Sequence, residues 1–501
     1  MTAEATVLRI DRLPAGTVHA VGAAGLETAS MVRYLVESGR EDIVLHDLSS
    51  DLRAAFQLAH RFQPADHRAR AWAALGRCRE LHTGADHLRG IEDAAAVLVP
   101  VSWFLHERNA PLAALQERFV GYPDACFDLW RGPVIGVSGS FGKSTTARFA
   151  ATLAGGVFCG NDRESFSDLG ALAQEPADRC LAFEASNRHL RNGFRRRLDV
   201  GVLTGITLNH EQDHGSFAAY RQVKYSLADR CRRLLFHADI PRQHSDARHL
   251  SQVGVPFGPG GSWDLRDDLV RGVVGEGGMP GAVSGEGGMR GVAGGTAIRC
   301  RLPGLDRLSA LDRMNALAAA AAVLTLGVDP EQVSRRAPAL PRAVPLYRQA
   351  VRVVAGREFI NDAAACVPAS AQALARAMAR PFVLICGGDR QRYRPGEFDG
   401  LADALAGNSH ARLACTTGPM AGPLEEAFAR AGFGAVVRCT DLDQAVRRAL
   451  QVPDVTVVFS PGCGTGALFT DKYARGEAFD HAVSVAVACG QRLVPASQAR
   501  V

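Results

Sequence analysis

The stretch VIGVSGSFGKSTTARF, residues 134–149, decides the fold of the chain. Its apolar run passes into a loop with glycines at 139 and 142, and the lysine and hydroxyls that follow, Lys143, Ser144 and Thr145, open a helix. Strand, glycine loop and helix start together make a phosphate loop. Gly139 and Gly142 let the backbone wrap closely, so that its N–H groups, around Ser140, can point at phosphate oxygens. The helix N-terminus adds a positive dipole, Lys143 a point charge, and Ser144 or Thr145 a hydroxyl for Mg²⁺. The longer Walker form has a further glycine where Val137 stands, so this is the shorter G-x-x-G-K-S-T form. ATP binding is expected, with a phosphate-free structural turn as the alternative.

Working outward, residues 17–47 read as strand, glycine turn, helix and strand, with Val18–Val21 as the first strand and Asp47 closing the second. Gly22 and Gly25 form only G-x-x-G, and Glu27 stands where a third dinucleotide-type glycine would fall. A tight βα turn and a phosphate cradle are both open there, and a ligand would sit at the strand ends, near Gly22 and Asp47. Trp130 to Pro133 reads as a linker. After it come apolar strands at 180–186 and 200–206, a helix from about 217 to 233, and an alanine-rich helix at 316–326. Glu184 and Ser186 end the first of these strands, and His210 follows the second. Residues 271–296 are low in complexity, with Gly-Glu-Gly-Gly-Met at 275–279 and again at 285–289, and read as a surface loop without chemistry. From about 345, strand-like runs at 381–386, 410–415, 435–439 and 455–459 alternate with helical stretches, the pattern of a helix-covered parallel sheet. The fold class is therefore α/β with three domains in series. A Rossmann-like domain (1–131) precedes a central P-loop ATPase-type domain (132–344) and a C-terminal Rossmann-like domain (345–501).

Composition narrows the function. The 501 residues carry 57 basic and 52 acidic side chains, a formal charge of +5 that is too mild for a nucleic-acid footprint. No run approaches the roughly 18 to 20 apolar residues that span a bilayer, and the start lacks a signal-peptide pattern, so a cytoplasmic protein is expected. The twelve cysteines form no C-x-x-C pair and are expected to be small core residues. Only three of the 57 basic residues are lysine, Lys143, Lys224 and Lys472. Lysines that survive such a bias toward arginine point to places that need a compact, titratable amine.

Several segments resemble the Mur ligase family, most closely its MurD branch, the UDP-N-acetylmuramoyl-alanine:glutamate ligases. The phosphate loop resembles the family's G-T-N-G-K-[ST]-T, and FEASNRHL (183–190) its E-[LA]-S-S-x-Q-L segment. TGITLNHEQDHGSFAAYRQVK (204–224) resembles T-N-[IV]-x-x-D-H-x-D…Y-x-x-x-K. RMNALAAAAAV, EFINDAAACVP and VVFSPGCGTGALFTDKYARGEAF resemble later signatures in the right order. The resemblance implies an ATP-dependent amide ligase of peptidoglycan precursor synthesis. A carboxylate becomes an acyl phosphate, from which an amine displaces phosphate. It implies that Lys143 and the loop amides hold ATP phosphates, that Ser144, Glu184 and His210 ligate Mg²⁺, and that Lys224 is carbamylated by CO₂ and positions a second Mg²⁺. Asn315 and Arg348 match nucleotide contacts, and Asp362 a carboxylate at the hinge of the third domain. The substrates would be a UDP-muramoyl-type carboxylate and an amino acid, handled by a monomer without nucleic-acid or membrane partners.

Departures stand beside the matches. The family's D-H is Asn209-His210, and the histidine of its H-x-x-N box is missing upstream of Asn315. The N-D-S-K-A-T segment becomes Asn361-Asp362-Ala363-Ala364-Ala365-Cys366, and a further lysine is replaced in Asp389-Arg390-Gln391-Arg392. These positions help choose the incoming amino acid, so Lys472, beside Thr465, is a candidate replacement cation for its carboxylate, with a solvated helix lysine as the alternative. A ligase that uses another carboxylate and amino acid in specialised metabolism, and a non-catalytic nucleotide-binding paralogue, are the rival readings. A folylpolyglutamate-like ligase and a dinucleotide-dependent oxidoreductase are weaker ones.

Overall fold

We describe the protein from a computed structural model that covers residues 8–160, 166–207, 214–275, 295–389 and 396–493. It forms two compact units. One takes in Met1–Ile206, Asp213–Arg307 and Asp312–Ala343; the other takes in Thr207–Gln212, Leu308–Leu311 and Val344–Val501.

The first unit opens with five parallel strands, β1 (Val18–Val21), β2 (Ile43–Asp47), β3 (Glu80–Thr83), β4 (Ala96–Val99) and β5 (Phe119–Gly121), in the order β3-β2-β1-β4-β5. β1 and β4 are buried throughout, which is why β4 reads as an unbroken apolar run and β1 as one interrupted only by His19. The strand order reverses between β1 and β4, and in such sheets a ligand crevice lies at the carboxyl ends beside the reversal.

A second parallel sheet follows, ordered β11-β10-β9-β6-β8-β7. Its strands are β6 (Val134–Ser138), β7 (Val157–Cys159), β8 (Leu181–Glu184), β9 (Leu198–Leu203), β10 (Cys231–His237) and β11 (Gly254–Phe257). β6 lies between β8 and β9, with Gly136 at the point where any Cβ would fall 2.2 Å from Leu198 Cδ1. One hydrophobic core runs from Val18 and Leu45 of the first sheet through Tyr122 and Phe127 to Phe183 and Leu203 of the second. Polar contacts join the same two layers: Arg33 pairs with Asp168 at 3.4 Å, and the Tyr122 hydroxyl donates to the Ser167 carbonyl.

Two expectations change here. The helix expected to reach 233 ends at Tyr225, and β10 begins at Cys231. Arg232 and Arg233 hide that strand in the sequence, while Leu234, Leu235 and Phe236 bury it. The glycine-rich stretch is also shorter than it reads. Its flanks form β13 (Leu269–Gly275) and β14 (Gly295–Arg301), which pair antiparallel with β12 (Asp264–Arg266) alongside. Gly272 admits the Trp263 ring, which a Cβ would meet at 2.1 Å, so this glycine serves packing and not looseness. Residues 276–294 lie outside the described ones.

In the second unit β15 (Ala350–Val354) pairs antiparallel with β16 (Arg357–Asn361), and the remaining strands are parallel in the order β15-β16-β20-β17-β18-β19. These are β17 (Phe382–Gly387), β18 (Ala411–Thr417), β19 (Val436–Arg438) and β20 (Thr456–Phe459). Alternate residues of β17 feed opposite cores. Phe382, Leu384 and Cys386 pack with Leu401 and Leu424, and Val383 and Ile385 with Val446 and Phe479. Nine of the eleven described cysteines are buried thiols. Among the described residues no helix is long and apolar enough to cross a membrane.

Imidazoles are buried in the first sheet. His46 is fully buried, faces the His87 carbonyl through Nδ1, and lies 2.8 Å from His19 Nδ1 through Nε2. A carbonyl only accepts, so His46 Nδ1 carries the proton and Nε2 receives one from His19. Burial lowers the His46 pKa from 6.5 to about 4, and does the same to His60, stacked on Phe56. A folded pKa below the unfolded one gives stability that is present above pH 6.5 and lost as pH falls through about 4. The thermal midpoint is therefore expected to drop steeply between these pH values, and His60→Leu to flatten that slope; equal slopes in the two proteins would refute the assignment.

Candidate active site

The carboxyl ends of β6, β8 and β9 converge. β6 delivers the phosphate loop, in which Gly139 (φ +146°) and Gly142 (φ +76°) both occupy backbone conformations that favour glycine. Neither has room for a side chain. A Cβ on Gly139 would fall 2.1 Å from Thr204 Oγ1, and one on Gly142 would fall 2.4 Å from Asn315 Oδ1. Gly142 caps the helix Lys143–Ala154 without a side chain of its own, so nothing covers its first turn from that position. Ser140 N–H donates to the Gly205 carbonyl at 2.7 Å, and its hydroxyl lies 2.9 Å from that of Tyr220. Lys143 Nζ donates to the Ser140 carbonyl at 3.2 Å, and Ser144 is half-buried beside a buried Thr145.

Asn315 supports this loop from below. It is 3% exposed, accepts from Thr146 Oγ1 at 3.3 Å and donates to Asp312 Oδ1 at 3.0 Å. The structure thus places it beneath the phosphate loop.

Glu184 ends β8, is buried, and has an Oε2 without a hydrogen-bond partner. Lys224 lies on the helix Phe217–Tyr225 and is 1% exposed, with Nζ donating to Ser138 Oγ at 3.0 Å. Ser138 Oγ in turn donates to the Ala185 carbonyl at 2.6 Å. Burial, then the Lys143 charge, push the Lys224 pKa well below that of a free lysine, against a smaller opposing pull from Glu184. His210 lies outside the described residues.

At the first sheet, Gly22 (φ +70°) packs against Pro100 and donates to the His46 carbonyl. Asp47 is spent on the same turn, since its two oxygens accept the amides of Ala24 and Ser49, each at 2.9 Å.

The second unit holds the other candidates. Asp362 is 2% exposed and accepts from Ser460 Oγ at 2.7 Å and from Gln349 N at 3.3 Å. Arg348 lies between Tyr347 (φ +54°) and Gln349 (φ +50°), two non-glycine residues in the left-handed region, a strain of about 1–3 kcal/mol each. Thr465 belongs to a loop pinned by Asp389, whose Oδ2 accepts Ala467 N–H at 3.1 Å. Lys472 begins the long helix Lys472–Leu493, half-buried, with Nζ 4.8 Å from the centre of the Tyr473 ring. Arg475 is only 1% exposed and donates to the carbonyls of Cys463, Gly464 and Ala363, and to Cys366 Sγ at 3.4 Å. Gln391 lies outside the described residues.

No family model matches the chain. Individual relatives do. The UDP-N-acetylmuramoylalanine–D-glutamate ligase of Symbiobacterium thermophilum is 28% identical over 480 residues, covering 92% of this chain and 96% of that one. The enzyme of the same name from Chlorobium phaeobacteroides is 30% identical over 377 residues, 69% of this chain and 75% of its own. The chain belongs to the Mur ligase family. Within it the chain stands close to the MurD branch, and it is an ATP-dependent amide ligase. Its fold matches the crystal structure of UDP-N-acetylmuramate-alanine ligase MurC from Thermotoga maritima with a TM-score of 0.56 at 16% identity, over 94% of this chain and 99% of that one.

Mur ligases use ATP and Mg²⁺, and the residues described fit both. Among them no three His, Cys, Asp or Glu side chains form a ready-made metal cage. Mg²⁺ suits such a place, because it is usually held by one or two protein oxygens, phosphates and water. Glu184, with its unpartnered oxygen, and the Ser144 hydroxyl are donors of that kind. Motif reading passed over Ser138, Tyr220, Glu27 and His189. Tyr220 carried a signal, because it precedes Lys224 by four positions and shares its helix face; the others meet their partners only in the folded chain. Gly142→Ala is expected to weaken binding of a fluorescent ATP analogue at least tenfold by displacing Asn315, and undiminished affinity would remove Gly142 from the site.

Proposed function

We propose that this Mur ligase joins a UDP-muramoyl-type carboxylate, bound by residues 1–131, to an amino acid bound by residues 345–501, with ATP held by residues 132–344. Lys224 carries this reading: it is a fully buried amine, held by Ser138 at the end of the phosphate-loop strand, where burial and then Lys143 disfavour its charge. A neutral amine is a nucleophile for CO₂. Its nitrogen forms a bond to the CO₂ carbon, a proton leaves, and the resulting carbamate is an anion at the site of a former cation. Arginine cannot make this change, which explains why lysine survives here in an arginine-rich chain.

Mg²⁺, held by Glu184, Ser144 and His210, and a second Mg²⁺ positioned by the Lys224 carbamate, would neutralise charge building on phosphate oxygens. Lys143 and the loop amides beyond Ser140 hold the phosphates of ATP, with Asn315 keeping the loop in shape and Arg348 and Asp362 as further nucleotide contacts. Gly22 and Asp47 shape the donor crevice. A carboxylate oxygen of the donor attacks the γ-phosphorus and ADP leaves; the amine then attacks the acyl carbon, phosphate leaves, and the amine loses a proton. Lys143 stabilises the oxyanion charge in both steps. Thr465 and Lys472 contact the carboxylate of the incoming amino acid, where Lys472 replaces the lysine lost at Ala364. The protein acts as a monomer in the cytoplasm.

Phosphate release from ATP, scanned across UDP-muramoyl donors and amino acids, tests this reading. Release that requires both substrates supports it. Release with no muramoyl donor but with another carboxylate would favour the specialised ligase, and none with any pair the non-catalytic paralogue. Lys224→Arg is expected to lower kcat more than a hundredfold while ADP binding stays intact, and activity near the parent would exclude the carbamate. Lys472→Ala is expected to raise the amino-acid KM about tenfold with kcat little changed; an unchanged KM returns this lysine to the helix surface.

A further inference from the structure

Two departures from expected patterns meet in the first unit. Glu27 stands where a third dinucleotide-type glycine would fall, and His189 stands at the glutamine position of the E-[LA]-S-S-x-Q-L segment. Glu27 Oε1 lies 3.6 Å from His189 Nε2. The residues are 6% and 0% exposed, and neither of these two atoms has a hydrogen-bond partner.

The rest of each side chain is committed. Glu27 Oε2 accepts the Val101 N–H at 2.7 Å, and the Val101 carbonyl accepts Asn192 Nδ2 at 2.9 Å. His189 and Asn192 share the short helix Asn187–Asn192, so these contacts close a ring between the two sheets. His189 Nδ1 is 3.2 Å from both the Ser186 N–H and the Glu184 carbonyl, and Ser186 and His189 form a reciprocal capping box. A carboxylate facing Nε2 requires a proton there, because two lone pairs would repel. Glu27 therefore favours the ring form with its proton on Nε2, which leaves the Nδ1 lone pair to accept the Ser186 N–H.

That turn aims Glu184. The carboxylate Oε2 has no partner of its own, so the direction of the side chain rests on the backbone, which His189 holds through the Ser186 N–H and Ser138 through the Ala185 carbonyl. We propose that Glu27 is a positioning residue for the Mg²⁺ site, acting through His189 to fix the turn that aims Glu184. The inference rests on the reading of Glu184 as a metal ligand. Partners that orient ligands in this way are worth about 10- to 100-fold in metal affinity or activity.

The test uses the full chain, a non-hydrolysable ATP analogue, and Mn²⁺ as the probe, with binding followed by electron paramagnetic resonance. Glu27→Gln keeps an acceptor for Val101 but turns an amide N–H toward His189, which reverses the preferred ring proton. It is expected to weaken Mn²⁺ binding about tenfold while the melting temperature and metal-free ADP affinity stay near those of the parent. Glu27→Asp keeps the charge, withdraws it by one methylene, and is expected to show the same loss should Glu27→Gln fail to fold. Glu184→Gln is the reference for loss of the ligand itself. Mn²⁺ affinity within twofold of the parent in folded Glu27 variants, with Glu184→Gln impaired, overturns the inference alone. Unchanged affinity in Glu184→Gln overturns the metal reading and this inference with it.

Discussion

An amine removed from water sets the terms for the centre of this molecule. Lys224 is enclosed completely, with a second lysine near enough to disfavour its charge, and a buried cation without a matching anion is among the costliest arrangements a fold can hold. Burial disfavours the charged form, and the amine rests on a hydroxyl, that of Ser138. Ser138 passes the link to the Ala185 carbonyl, so the ends of β6 and β8 are fixed to each other through the same two groups that hold the amine. Phosphate loop, strand-end carboxylate and lysine are in this sense one construction.

The loop depends on an equally strict steric condition. Gly142 and Asn315 occupy adjoining space that leaves no room for a methyl group, and Asn315 is tied on its far side to Asp312. The alanine-rich helix that carries Asn315 can therefore approach the loop closely, with Ala318 to Ala322 almost entirely buried behind it. Small side chains on that helix and glycines in the loop serve the same purpose, the close approach of two backbones.

Much of this was legible in the chain. The phosphate loop could be read because its glycines, lysine and hydroxyls must be contiguous, and parallel strands buried on both faces announce themselves as apolar runs. β10 could not, since Arg232 and Arg233 interrupt its pattern and only the fold shows that Leu234 to Phe236 fill a core. The edges of the glycine-rich segment read as a loop because a strand that packs a tryptophan against glycine carries no apolar signature. The candidate site divides in the same way. Lys143, Glu184 and Lys224 stand in recognisable local patterns, whereas Glu27 and His189 show in the chain only as departures from a pattern and acquire meaning from each other. Asp47 shows the reverse case, a strand-end carboxylate that reads as a ligand contact and is occupied by two backbone amides of its own fold.

Arg475 bears on how this chain came to differ from its relatives. Its guanidinium grips carbonyl oxygens at Ala363, Cys463 and Gly464, and a carbonyl is the same whatever residue bears it. The half-buried side chain at 364, where the family has a lysine, could thus be exchanged without loosening the loop that carries it. A scaffold fastened by main-chain oxygens leaves its displayed surface open to drift, and new acceptor preferences could arise there without a new fold.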